Sequence, residues 1–260
     1  MSEAPAVSFE IGESIARVTL NRPQAGNSMD LQFGRDLLAA AERCRDEAAR
    51  VVVLSGAGKA FCFGGDLGGM ASLEGEARRD YLLELTRNLH AAVACFVSLP
   101  APVIAVVNGT AAGAGVGLVA MADLALAAES AKFSLAYTGV GLTPDGSTSF
   151  FLPRLVGPKR AMELVLTNRP LSAAEAVEWG LINRALPDAA LGEEAAALAD
   201  RLASGPTGAY AEAKRLLRST QPLMEQLDDE GRTISAQAIT AEGREGISAF
   251  LAKRKPTFPR

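Results

Sequence analysis

Histidine is almost missing from this chain: His90 is the only one in 260 residues. A metal site built on several imidazoles is thereby excluded. Cysteine is scarce too. Cys44, Cys62 and Cys95 are scattered, odd in number and without CxxC spacing, so neither a disulfide framework nor a zinc cluster is expected and no metal is assigned. Positive charge is not in excess: 26 Lys and Arg stand against 30 Asp and Glu, a net charge of −4, and no global basic field recommends nucleic acid as a partner. The one basic cluster, Lys253-Arg254-Lys255, reads as a solvated tail or as a contact for a phosphate. The opening MSEAPAVSFE lacks the charged-then-apolar pattern of a signal peptide, which leaves the cytoplasm as the expected location.

One long apolar run exists. Residues 103–122 (VIAVVNGTAAGAGVGLVAMA) carry no charge and contain overlapping GxxxG spacings, as a membrane span can. Asn108 and several glycines interrupt the run and no basic residues flank it, so it reads as a buried strand, a glycine turn and a helix. No membrane is expected.

What the chain does have is apolar material, 48% of its residues, against 22% charged, enough for a soluble globule with a large core. Short aliphatic runs at 15–20 (IARVTL), 50–54 (RVVVL), 103–107 (VIAVV) and 124–127 (LALA) have the look of buried strands. Helical patterns lie between them. The first covers 30–45, with Asp30 as N-cap. The second covers 80–97, with Leu82, Leu85, Leu89, Val93 and Phe96 on one stripe. Strands alternating with helices predict an α/β fold with mainly parallel pairing. Beyond Pro158 the pattern becomes helical, at 159–167, 172–179, 191–203 and 206–220. Ser172 and Glu175 form a capping box and Gly180 fits a C-cap. The expected division is a core of residues 1–204 and a helical C-terminal region of residues 205–260.

Two glycine-rich loops follow predicted strands: KAFCFGGDL at 59–67 and NGTAAGAGVG at 108–117. Glycines let backbone N–H groups approach a ligand closely, and at a helix start those N–H groups are unpaired. Two such loops converging would hold one oxyanion. The plainer reading is that the glycines only permit close packing. A dinucleotide fingerprint is poorly matched, because Gly113, Gly115 and Gly117 are spaced GxGxG and no acid stands at the expected distance. A third segment, TPDG at 143–146, sets Asp145 among glycines and apolar residues. Pro-Asp-Gly is an ordinary turn signal; the same carboxylate could instead be a reaction's base.

Taken in order, LNRP (20–23), GAGKAFCFGGDL (56–67), PVIAVVNGTAAGAG (102–115), AKFSLAYTGVGLTPDG (131–146), LPRLVG (152–157) and EGISAFLAKRKPTF (245–258) resemble the enoyl-CoA hydratase/isomerase, or crotonase, superfamily. The resemblance spans almost the whole chain. It implies a spiral of ββα units with a helical C-terminal trimerisation region, assembled as a homotrimer or a hexamer of paired trimers. It implies an acyl-CoA substrate, with no cofactor bound permanently because coenzyme A arrives on the substrate. By position, the backbone N–H groups of Gly65 and Ala114 would polarise the thioester carbonyl. Gln24, Ala25, Gly26, Phe61, Phe63, Asp66 and Leu67 would lie along the CoA, with Arg22, Lys59 or Lys253 near its phosphates. Asp66 and Asp123 read otherwise as acids that satisfy backbone N–H groups.

Two glutamates that hydratases of this family use to handle water correspond to Gly117 and Tyr137. Both carboxylates are gone, which places the expected activity with the isomerases. There an acid at the position of Asp145 carries a proton from one carbon of the acyl chain to another, and the PDG context is similar to the enoyl-CoA and epoxyphenylacetyl-CoA isomerases. An apolar wall of Phe133, Leu142, Phe150 and Phe151 would hold that acid away from water. Three alternatives stand beside this reading. One is a 2-enoyl-CoA hydratase despite the lost glutamates. Another is an aryl-CoA dehalogenase, with Asp145 as nucleophile, His90 as base and Tyr137 where those enzymes have tryptophan. The last is a binding protein on the same fold, which an acidic chain with intact oxyanion loops disfavours.

Overall fold

The chain opens on a hairpin, β1 (Val7–Gly12) paired antiparallel with β2 (Ile15–Leu20) across Glu13 and Ser14. Both turn residues have positive φ, as a two-residue turn between right-twisted strands requires. The computed structural model describes residues 4–219, 240, 241, 245, 249, 252 and 254–259. Helix α1 (Leu31–Asp46) starts where expected: the Asp30 carboxylate accepts the Phe33 N–H at 2.8 Å.

From there the chain repeats one move. It lays a strand in a large sheet, turns a corner, lays a three-residue strand in a small sheet, and returns through helix. The pairs are β3 (Val51–Gly56) with β4 (Ala60–Cys62), β5 (Val103–Val107) with β6 (Thr110–Ala112), and β7 (Leu124–Ala128) with β8 (Lys132–Ser134). Helices α2 (Leu67–Ala71) and α3 (Gly75–Ser98) follow the first pair, α4 (Ala114–Met121) the second, and α5 (Thr148–Val156) and α6 (Pro158–Thr167) the third. Then come β9 (Leu171–Ser172), α7 (Ala173–Glu178), β10 (Arg184–Leu186), α8 (Leu191–Ala203) and α9 (Thr207–Leu217). The six-stranded sheet runs β1-β2-β3-β5-β7-β10 and the four-stranded sheet β4-β6-β8-β9. Apart from the β1–β2 and β8–β9 pairs, the ladders are parallel.

The corner between β5 and β6 shows why the turns are tight. A Cβ on Gly109 would lie 2.0 Å from the Lys59 carbonyl oxygen, so only glycine lets the second unit stack on the first. Every residue of β5 is buried, as a strand covered on both faces must be. The stretch 103–122 is therefore strand, glycine corner, short strand and helix. Among the described residues no helix is long and apolar enough to cross a membrane.

The α/β class and parallel pairing agree with expectation, as do the capping box at Ser172 and Glu175 and the positive φ of Gly180. Two readings need correction. Helix α3 starts at Gly75 and ends at Ser98, wider than 80–97 at both ends. The strands of the second sheet had no counterpart among the predicted runs: at three residues, β4, β6 and β8 are too short to show an alternation. Most of 220–260 lies outside the described residues, and with it the greater part of the expected C-terminal region.

Charge contributes to the docking of helix α9, none of whose residues is fully buried. Lys214 Nζ lies 2.8 Å from Asp123 Oδ2 and Arg218 NH2 2.7 Å from Asp123 Oδ1. Asp123 also accepts the Val103 N–H at 2.8 Å, the backbone duty expected of it. These side chains are mostly buried, and burial pushes the Lys214 ammonium below its ordinary range against the pull of Asp123. Removing one member of a buried ionic cluster strands the others. Asp123→Ala is expected to cost about 3 kcal/mol, read as a lowered midpoint in urea unfolding.

Candidate active site

The two glycine loops meet at one cavity. After β4 the chain runs beside residues 26–29. Phe63 N–H donates to the Gly26 carbonyl (3.0 Å), Met29 N–H to Gly64 (2.7 Å) and Asp66 N–H to Met29 (2.9 Å). Met29 and Gly65 form a parallel bridge, so Gly65 directs its own N–H to the opposite side. After β6, Gly113 N–H donates to Ser134 O at 2.9 Å and Ala114 begins α4. Neither the Gly65 nor the Ala114 N–H has an acceptor among the described residues. Both residues line a cavity of about 340 Å³. Ala114 adds the positive end of a short buried helix.

Asp145 and Tyr137 line the same cavity. The Tyr137 hydroxyl donates to Asp145 Oδ1 at 2.7 Å and lies 3.2 Å from the Asp145 carbonyl oxygen. Tyr137 is 9% exposed. Burial, and then the neighbouring Asp145 charge, push its hydroxyl well above the usual phenol range. The phenol therefore stays protonated and serves as a fixed donor to the carboxylate. The turn reading of Asp145 also holds, because its carbonyl accepts the Thr148 N–H at 3.0 Å and Gly146 has φ +55°. One residue serves both purposes: its backbone makes the turn and its side chain stays in the cavity.

The other walls are aliphatic. Leu82, Leu85 and Leu89 of α3 face Val140 and Leu142 across the space, with Met70 from α2. The expected wall needs correction on this point. Leu142 is there, whereas Phe133 is fully buried in the core and Phe150, 47% exposed, lies outside with Phe151. The apolar stripe of α3 does double duty: Val93 and Phe96 are core alone while Leu82, Leu85 and Leu89 also wall the cavity. Its spacing announced an apolar face but not what the face covers.

Gly117, which the resemblance sets at a position of a family glutamate, sits against the segment that carries Asp145. A Cβ there would lie 2.2 Å from the Gly146 carbonyl oxygen and 2.9 Å from Thr148 Oγ1. No side chain fits without moving the Asp145 turn. His90 is exposed on α3 yet reaches the same turn, its Nε2 accepting the Gly146 N–H at 3.4 Å.

The residues expected along CoA divide. Gln24 and Ala25 form a short 3-10 turn with Gly26 closing it, the half-exposed Phe63 ring lies over Gly26, and Leu67, 48% exposed, lines the cavity. Phe61, by contrast, is fully buried and has no face free for a ligand. Asp66 caps α2 through the Gly69 N–H (3.1 Å), the backbone role expected of it, and pairs with Arg22. Arg22 pairs with Asp30 at 3.0 Å and with Asp66 at 3.3 Å. Lys59 is exposed; Lys253 lies outside the described residues.

Comparison with known proteins places this geometry. The profile of the family described as enoyl-CoA hydratase/isomerase matches residues 10–260. The chain is similar to a probable enoyl-CoA hydratase of Rhodobacter capsulatus, at 42% identity over 97% of both chains. It is 38% identical to the 1,2-epoxyphenylacetyl-CoA isomerase of Escherichia coli, covering 95% of this chain and 96% of that one. A solved structure of an enoyl-CoA hydratase from Mycobacterium smegmatis superposes with a TM-score of 0.90 at 35% identity, over 98% of this chain and 99% of that one.

Proposed function

The chain belongs to the enoyl-CoA hydratase/isomerase family and has its crotonase fold, and from that premise we propose that it shifts a double bond in an acyl-CoA with a single carboxylate as the base. As a member of the family it is an enzyme acting on acyl-CoA thioesters. The observation that carries the finer reading is the Tyr137–Asp145 hydrogen bond at 2.7 Å, in the cavity that also contains Gly65 and Ala114.

The chemistry follows from what each group can do. The thioester oxygen accepts from the N–H groups of Gly65 and Ala114, which meet the negative charge as it develops. Asp145 removes a proton from C2 of a 3-enoyl thioester, and the C–H electrons pass into a dienolate. The protonated Asp145 then returns that proton to C4, and the double bond moves into conjugation. Tyr137 holds Oδ1 and leaves Oδ2 free to carry the proton. One group suffices because the proton leaves and returns on the same face. Adding water needs a second group to handle the second proton, and Gly117 and Tyr137 stand where it would be. A ring-modified acyl-CoA undergoing the same proton transfer fits this mechanism equally.

In this reading Gln24, Ala25, Gly26, Phe63 and Leu67 guide the CoA arm to the cavity, and no resident cofactor is needed. The expected assembly is a trimer or a pair of trimers built partly by the 205–260 region. The exposed Met162 and Leu166 of α6 and Leu217 of α9 offer apolar surface for it.

The test is a mass-resolved assay with a 3-enoyl-CoA. Conversion to the conjugated 2-enoyl isomer without a change in mass supports the proposal; a water adduct as the main product overturns it. Tyr137→Phe removes only the donor to Oδ1. It is expected to lower kcat about tenfold with KM little changed, the size of a hydrogen bond to a charged group.

A further inference from the structure

We infer that His90 is a positioning residue for Asp145, acting through the peptide N–H of Gly146 rather than as an acid or base. The inference rests on the proposed role of Asp145, and its observations are separate. His90 Nε2 accepts the Gly146 N–H at 3.4 Å. To accept there, the imidazole is neutral with its proton on Nδ1. A nitrogen whose lone pair is engaged by a backbone donor is not available to activate water beside Asp145, the duty a dehalogenase mechanism assigns to it.

The place of Gly146 gives that contact leverage. A Cβ on Gly146 would meet Ala114 Cβ at 3.1 Å and Leu89 Cδ2 at 3.3 Å. The residue after the base is thus wedged between an oxyanion donor and α3. Its carbonyl packs on Gly117. Tyr137 fixes the carboxylate from one side and His90 fixes the following peptide from the other, so the base has two independent restraints. Loosening the second lets the Asp145 carboxylate rotate away from the reacting carbon while the apolar walls that bind the acyl group stay in place. Catalysis is sensitive to displacements of that size.

Glutamine supplies a neutral acceptor on a side chain of similar reach and has no proton chemistry at neutral pH. His90→Ala is expected to lower kcat about five- to tenfold with KM unchanged, and His90→Gln to restore most of it. Hydrogen exchange of the Gly146 amide reads the contact without any turnover: about tenfold faster in His90→Ala, near wild type in His90→Gln. The inference is overturned if Gly146 exchanges equally in all three proteins. It is equally overturned if His90→Gln is as impaired in kcat as His90→Ala, because the imidazole would then be doing chemistry. Absence of isomerase activity in the wild type would count against the proposed function alone, and the exchange measurement would still decide the role of His90.

Discussion

Asp145→Asn is expected to lower kcat for double-bond migration by about 10²–10⁴, with KM within a few-fold of wild type. Asparagine keeps the shape of the side chain. Its amide oxygen can still accept from the Tyr137 hydroxyl, which the carboxylate does at 2.7 Å. The backbone duty persists as well, since the Asp145 carbonyl that receives the Thr148 N–H is untouched. What disappears is the ability to take and return a proton. A purely structural role would show as a lower unfolding midpoint with modest loss of rate. A role as base shows the reverse, and steady-state kinetics beside thermal unfolding separates the two.

Ala114→Pro carries the second large effect, a loss of about 10²–10³ in kcat/KM at unchanged thermal stability. Ala114 is the first residue of α4, where proline is well tolerated because the N–H is unpaired in any case and the fixed φ suits a helix start. The preceding Gly113 has no Cβ to clash with the ring. The ring removes the donor and puts its Cδ into the space the thioester oxygen would occupy. Few positions allow a backbone donor to be deleted so cleanly. An unchanged rate would mean that Gly65 alone, or neither loop, meets the oxyanion.

How much of this was legible beforehand depends on length and on reach. Four of the six strands in the large sheet announced themselves through aliphatic runs, VIAVV being buried on both faces along its whole length, whereas β1 (Val7–Gly12) and β10 (Arg184–Leu186) had no counterpart among those runs. The small sheet did not, because three residues such as Ala60–Cys62 carry no period. Helix α1 was readable from a local event, the Asp30 cap. Helix α3 begins at Gly75 after Glu74, whose side chain makes no cap bond, and its start had no such mark. In the site, the positions of Gly65, Ala114 and Asp145 came from motif order. The contacts that decide their use are separated along the chain: Tyr137 to Asp145, His90 to Gly146, Gly117 under the Gly146 carbonyl. Only the fold brings these together. The expected aromatic wall failed for the same reason. Phe150 and Phe151 are neighbours of Asp145 in sequence, but α5 turns them away while α3, some sixty residues earlier, supplies the leucines.

The most direct measurement is the deuterium content of the isomer formed from an unlabelled 3-enoyl-CoA in D2O, followed by mass spectrometry at early times. A single carboxylate that returns the proton before exchanging it with water predicts a conjugated product with much less than one solvent deuterium per molecule. A product carrying a full solvent deuterium at C4 from the first turnover would contradict return of the same proton, and a hydrated product would contradict the one-carboxylate shuttle itself.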